Sequence, residues 1–366
     1  MSPPPLGHAG VLVRRRRGGG SARARRLASF AVLWGSCASL STMAPARTVL
    51  DAASLRNAAL ARAAGAAGGY DAGLLWLEHV NIVVGDRSAA ERFYFEDGLG
   101  CGRDPAKPGG EGTSGTMWAN LGRQQFHLAE EAADDPRQVV RGAIGLCLPD
   151  CAAAAARLAA LPKEDGVAVA VHAPDRFTAT CPTGNVFHCY EAGGAAPAPD
   201  GGYPTKMAAL HRADDGYGGS SLAVGGGPGI RYLHFLVDDG FAAAHAYADE
   251  FGTPVTGGDG ACAAPCGLGP VHLLFETAPP DAVAAERQEG VHLCVYVDDF
   301  ATRYDRLRPH VFTNPRFKHL DTCDTLAEAV ASRTFRFAFP EIPNLEHETR
   351  SLSHAQFRKT IAYEPR

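Results

Sequence analysis

The strongest constraint on this chain is a unit written four times: an apolar strand ending in Asp, a helix directly behind it, and further short strands. The strand "LLWLEHVNIVVGD" ends at Asp86, "GAIGLCLPD" at Asp150, "IRYLHFLVDD" at Asp239 and "GVHLCVYVDD" at Asp299. The steps between these aspartates are 64, 89 and 60 residues, and a recurring period of this kind outranks any local reading of helix or strand. In the first unit Ser88-Ala-Ala-Glu91 reads as a capping box for a helix loaded with Phe93, Tyr94 and Phe95, which Gly98 and Gly100 stop. The strands "TMWANL" and "QQFHLAE" follow, turned by Gly122-Arg123. In the second unit "CAAAAARLAAL" is the helix, and "GVAVAVHAP", "DRFTATC" and "VFHCYEA" are strands. The helices of the third and fourth units are "FAAAHAYADEF" and "FATRYDRL", and the fourth carries a helical insert, "TLAEAVASR".

With 366 residues, 46% of them hydrophobic, the chain suits two cores rather than one. Composition sets the expected boundaries: a leader over 1–70, a first domain of two units over 71–193, a Gly/Pro/Ala linker over 194–228, a second domain of two units over 229–352, and a tail over 353–366. The leader has an arginine-rich front, no acidic residue before Asp51, and an apolar run from Leu27 to Leu40 that is too short to span a bilayer. That pattern predicts import into an organelle (plastid or mitochondrion) or the secretory pathway; a start at Met43 predicts a cytoplasmic protein. With 35 basic against 40 acidic residues there is no broad cationic field for nucleic acid, and no membrane association is expected. Ten cysteines without C-x-x-C pairs read as reduced, structural thiols. The partner expected is a small-molecule substrate, and the chain is compatible with a monomer or a homodimer.

Two strings, Phe126-His127 to Glu130 and Phe187-His188 to Glu191, repeat Phe-His-x-x-Glu at the ends of the first two units. Together with "HVNIVVGDRSAAERFYFEDGLG" and "CPTGNVFHCYE", they resemble the vicinal oxygen chelate superfamily of glyoxalases, bleomycin-resistance proteins and extradiol dioxygenases. The resemblance covers residues 74–192 strongly and 229–350 more weakly. It implies an α+β fold in which four tandem βαβββ modules form two glyoxalase-like domains. Each pair of modules would curl into a cup holding a divalent metal (zinc, iron, manganese or nickel) between the first and last strands of its modules.

Carried onto this sequence, the resemblance implies metal ligands His79, His127 and His188 in the first domain, with Ala143 at an open fourth corner. In the second it implies His272, His292 and Glu346, with Tyr232 as the fourth occupant. His234 competes with Tyr232, and Glu348 with Glu346, each two residues along the same strand face. Phe126 and Phe187 are expected on the opposite face of their strands. The implied function is a metal-dependent, lyase- or isomerase-like enzyme acting on a small carbonyl or diol substrate chelated at the metal. The alternatives are a metal-free small-molecule binder of the bleomycin-resistance type and a non-haem ferrous dioxygenase working from the second domain, whose two histidines and one carboxylate match such sites. The first-domain positions offer no glutamate for the proton shuttle of a glyoxalase-type isomerase.

Overall fold

The structure, a computed structural model, describes residues 73–110, 115–122, 124–132, 137–192, 228–253, 255, 261–265, 271–279, 291–342, 345–351 and 353–354. The leader, nearly all of the linker and most of the tail lie outside the described residues. Module one comprises β1 (Leu74–Val84), α1 (Arg87–Tyr94), β2 (Gly102–Arg103), β3 (Met117–Leu121) and β4 (Gln124–Glu130). Module two comprises β5 (Gly142–Leu148), α2 (Cys151–Ala159), β6 (Ala168–Ala173), β7 (Arg176–Thr180) and β8 (Val186–Glu191). Module three has β9 (Gly229–Val237), α3 (Gly240–Phe251), β10 (Ala261–Pro265) and β11 (His272–Thr277), and module four has β12 (His292–Val297), α4 (Phe300–Leu307), α5 (Leu326–Ser332), β13 (Thr334–Phe337) and β14 (Glu346–Ser351). In module four Val311 bridges Phe337 on the outer side of β13.

The repeated aspartate has a local cause. Asp86, Asp150 and Asp239 each close a strand in extended conformation and accept a hydrogen bond from a backbone N–H in the first turn of the helix that follows, at 2.9, 2.8 and 2.9 Å. The first helix is therefore capped by Asp86, two residues earlier than the Ser88 box suggests. Asp299 departs from the pattern: it lies at φ 34° and makes no such bond. The insert in module four begins with a complete capping box between Thr325 and Glu328.

The modules assemble into two seven-stranded mixed sheets, ordered β13-β14-β12-β1-β4-β3-β2 and β10-β11-β9-β5-β8-β7-β6. The architecture is the expected α+β arrangement of tandem modules, but the pairing of modules differs from the expected one. Modules one and four share the first sheet through antiparallel β1 and β12, and modules two and three share the second through antiparallel β5 and β9. Residues 71–193 and 229–352 thus each supply strands to both sheets. The reason lies in the apolar faces. Phe126 and Phe187 do point away from their neighbouring histidines, and they meet each other at 6.1 Å with Tyr94 and Phe93 between the modules. The buried carboxylate of Asp165 takes two bonds from Arg92, and Arg157 donates to the Gly98 carbonyl at 2.9 Å. Consecutive modules are therefore joined face to face, which leaves the free edges of β1 and β5 to be paired by strands from the other half.

Modules three and four meet in the same way. The Tyr247 hydroxyl of α3 bonds His347 Nε2 of β14, and the His347 ring stacks on Phe337 at 4.4 Å. Burial pushes the His347 imidazole down to about 3. Between its ordinary value of about 6.5 and that value only the unfolded chain takes the proton, so stability is full above about pH 6.5 and is lost as pH falls toward 3. Urea unfolding at pH 7 and pH 4 is expected to show His347→Phe losing about 3 kcal/mol less than wild type over that interval; equal losses would refute a neutral buried His347. Among the described residues no helix is long and apolar enough to cross a membrane.

Candidate metal centre

The floor of the first sheet begins with an irregularity in β1. Leu77 pairs with Val295 and His79 with Cys294, so Glu78 is one residue more than β12 can match. Such a bulge turns two consecutive side chains toward one side. Glu78 and His79 accordingly reach the same group of residues: Glu78 Oε2 lies 3.3 Å from Cys294 Sγ and Oε1 accepts from the Tyr296 hydroxyl at 3.2 Å, while His79 Nε2 lies 3.4 Å from His292 Nε2. Glu348, opposite Cys294 on β14, brings Oε2 to 3.5 Å from His292 Nε2. His79, His292 and Glu348 are all buried, and their donor atoms lie within 4.8 Å of one another.

These separations suit a cation. The edge of a tetrahedron built on metal–ligand bonds of about 2.0–2.1 Å measures about 3.3–3.4 Å. Burial pushes the His292 imidazole well below its ordinary range, which keeps it neutral and able to ligate. Glu348 is an anion: burial acts to raise its carboxyl, but Arg350 and Arg336 overcome this and hold it well below the usual carboxylate range. Arg350 reaches Glu348 Oε1 through Nε at 2.6 Å and Glu78 Oε2 through Nη1 at 2.5 Å. Arg336 is spread over Asp321 (3.0 and 3.1 Å), Glu346 (2.6 Å) and Glu348 (3.0 Å). Four carboxylates, Glu78, Asp321, Glu346 and Glu348, thus share two guanidiniums, and burial pushes the Glu346 carboxyl above its ordinary value, toward its neutral form. Behind His79, Nδ1 lies 3.4 Å from Glu78 Oε2, placing a carboxylate behind the imidazole as metal-binding histidines usually require.

His127 stands beside this set. Its ring is sandwiched between His79 (3.6 Å between centroids) and Trp118 (4.5 Å). Nε2 lies 3.1 Å from Gln125 Oε1, and Gln125 Nε2 donates to Asp104 at 2.9 Å and Asn120 at 2.6 Å. Because the amide nitrogen is committed to those acceptors, Gln125 Oε1 must accept, which puts the His127 proton on Nε2 and leaves Nδ1 with a lone pair. Phe317 closes the other flank, edge-on to His292 at 5.5 Å and 4.2 Å from the Arg336 guanidinium.

The six residues expected as ligands are divided by the module pairing. His79, His127 and His292 gather on the first sheet, whereas His188 and His272 lie on the second, in β8 and β11. Glu346 reaches the first floor but is held by Arg336 and by Asn314 at 2.5 Å, and Glu348, its alternative two residues on, is the carboxylate beside His79 and His292. The guanidinium frame of Arg336 and Arg350 and the second carboxylate of Glu78 were not anticipated. Alternation of Glu and Arg through "LEHETRS" was the available signal for Arg350. Nothing local in the sequence marks the bulge that turns Glu78 inward.

The second sheet repeats the arrangement without the donors. His79 stands between Cys294 and Gln125, and Tyr232 stands between Gly145 and His272 in the same relation. Continuing the two registers, His127, His292 and Glu348 correspond to Leu274, Ala143 and His188. Of four floor positions only His188 remains a ligand type, and its Nδ1 is bonded to the Tyr232 hydroxyl at 2.6 Å. A Cβ on Gly145 would fall 2.3 Å from the Tyr232 ring, so glycine is what admits that ring to the floor.

No protein-family model and no curated protein matches this chain. Among solved structures it is similar to glyoxalase I from Zea mays, at 12% identity over 79% of this chain and 95% of that one, with a TM-score of 0.45. It is also similar to a Mn(II)-bound glyoxalase from Novosphingobium aromaticivorans (17%, 76% and 82%, 0.25) and to a catechol 2,3-dioxygenase (15%, 76% and 88%, 0.24). None of these similarities assigns an activity to the chain.

Proposed function

We propose that the protein is a metal-dependent enzyme of the vicinal oxygen chelate type, acting on a small oxygenated substrate at the floor of the first sheet. The observation that carries this reading is the convergence of His79 Nε2, His292 Nε2 and Glu348 Oε2, separated by 3.4 and 3.5 Å along its two measured edges. These three residues would hold a divalent ion, which when bound supplies Lewis acidity and positions for neighbouring substrate oxygens. Two imidazoles and one carboxylate are the donor set of oxygen-activating ferrous sites. That set favours the oxygenase reading over a lyase or isomerase for a second reason. A shuttle needs a carboxylate free to move, and Glu78, Glu346 and Glu348 are each tied to a buried guanidinium. The base left beside the donor set is His127, neutral because burial and the neighbouring His79 push its imidazole well below its usual range, with Nδ1 able to accept a substrate hydroxyl proton. Trp118 and Phe317 supply aromatic walls on the two flanks.

The test is oxygen uptake by protein loaded separately with Fe(II), Mn(II), Zn(II) or Ni(II), across aromatic vicinal diols and α-keto acids. Oxygen consumption confined to the Fe(II) or Mn(II) protein is the expected result. Turnover without oxygen in the Zn(II) or Ni(II) protein selects the lyase or isomerase reading, and substrate binding with no turnover under any ion selects the binder.

A further inference from the structure

The polar groups behind His79 form a second donor set that the proposed chemistry leaves unused. Glu78, His79 and Cys294 each offer one donor atom within 4.8 Å of the others, and all three side chains are fully buried or nearly so. Cys294 Sγ lies 3.3 Å from Glu78 Oε2 and 3.9 Å from Glu348 Oε1. His79 Nδ1 lies 3.4 Å from Glu78 Oε2 and makes no hydrogen bond, so this buried nitrogen is aimed into the set with its lone pair or proton uncommitted. The β1 bulge creates the arrangement, since only an extra residue allows Glu78 and His79 to face Cys294 together.

We propose that Glu78, His79 Nδ1 and Cys294 form a second cation position, selective for thiophilic divalent ions such as zinc, cadmium or cobalt, and exclusive of the first. The proposal rests on the first position being the His79 Nε2, His292 and Glu348 set. A neutral imidazole has one lone pair. An ion on Nδ1 therefore leaves Nε2 carrying the proton, and the first position loses one of its three donors. The ligand types differ in the same sense: imidazole and carboxylate serve a ferrous or manganous ion, whereas a thiolate selects softer ions. On binding, the Cys294 thiol proton is released to solvent and the sulfur bonds the ion. Glu78 Oε2 already lies 3.3 Å from Cys294 Sγ and 3.4 Å from His79 Nδ1, so it meets the ion without leaving Arg350, which also holds Glu348 through Nε and Nη2. A thiophilic ion is thus a built-in inhibitor of the site, acting through the tautomer of His79.

Cobalt(II) titration of the full-length protein tests this, reading bound cobalt by elemental analysis and the thiolate-to-cobalt charge-transfer band by absorbance. Wild type and His292→Ala are expected to show the band, and Cys294→Ser to bind one cobalt without it. Cobalt bound by wild type with no thiolate band overturns the second position alone. A band lost in His292→Ala shows one mixed site and overturns it as well. No cobalt bound by any of the three proteins overturns both positions.

Discussion

Replacing Glu348 with alanine is expected to lower the stability of the metal-free protein by roughly 3–5 kcal/mol, the cost of removing one partner from a buried ion-pair network. Glu348 receives Arg336 at 3.0 Å and Arg350 at 2.6 Å in a region where both guanidiniums are shielded from water. Its loss leaves Arg350 with Glu78 alone and Arg336 with Asp321 and Glu346. Glu346→Ala provides the internal comparison. It removes one of three carboxylates on Arg336 and the Asn314 bond, so a loss of about 1–3 kcal/mol is expected. Urea midpoints of the two variants at constant m-value decide the matter. A Glu348→Ala loss under about 1 kcal/mol, or one smaller than that of Glu346→Ala, would contradict the network described.

The second large effect concerns the fold. Residues 71–193, produced alone, are expected not to form a stable monomer, although they contain two whole modules. Cutting the linker deprives β1 of β12 and β5 of β9, and β1 is buried along all eleven of its residues. Two apolar strands would be left as open sheet edges, the condition under which chains aggregate or find a substitute strand. Co-expression with residues 229–352 is expected to restore a soluble one-to-one complex, because each half carries the missing neighbours of the other. Size-exclusion chromatography with far-ultraviolet circular dichroism distinguishes the outcomes. A monomeric, cooperatively unfolding 71–193 fragment would contradict the interleaved pairing.

These two predictions mark what the sequence discloses and what it conceals. Strand and helix order was legible because the aspartates cap the helices and the apolar strands alternate around them. The positions of His79, Ala143, Tyr232 and His292 in their first strands followed from counting back from those aspartates, and the registers align them in that way. Module pairing was not legible: the residues that would decide it are the backbone edges of β1 and β5, which carry no side-chain signature. That single unknown moved His188 from the company of His79 to the company of Tyr232. In the last strands, Glu346 and Glu348 share a face and a residue type, so only the register with β12, set across the sheet, separates them. The buried arginines were hidden for a related reason, since an arginine in a strand looks solvent-facing until its carboxylate partners are placed around it.

The central claim is that modules one and four together build one cation site, and stoichiometric metal content tests it most directly. Full-length wild type, His79→Ala, His292→Ala, Glu348→Gln and His188→Ala, each loaded with Fe(II) without oxygen and freed of loose ions, are compared by elemental analysis. One ion per chain is predicted in wild type and in His188→Ala, with loss in the other three. Metal retained by His292→Ala but lost with His188→Ala would contradict the account, because the ion would then belong to a floor where Tyr232, Leu274 and Ala143 offer it almost nothing.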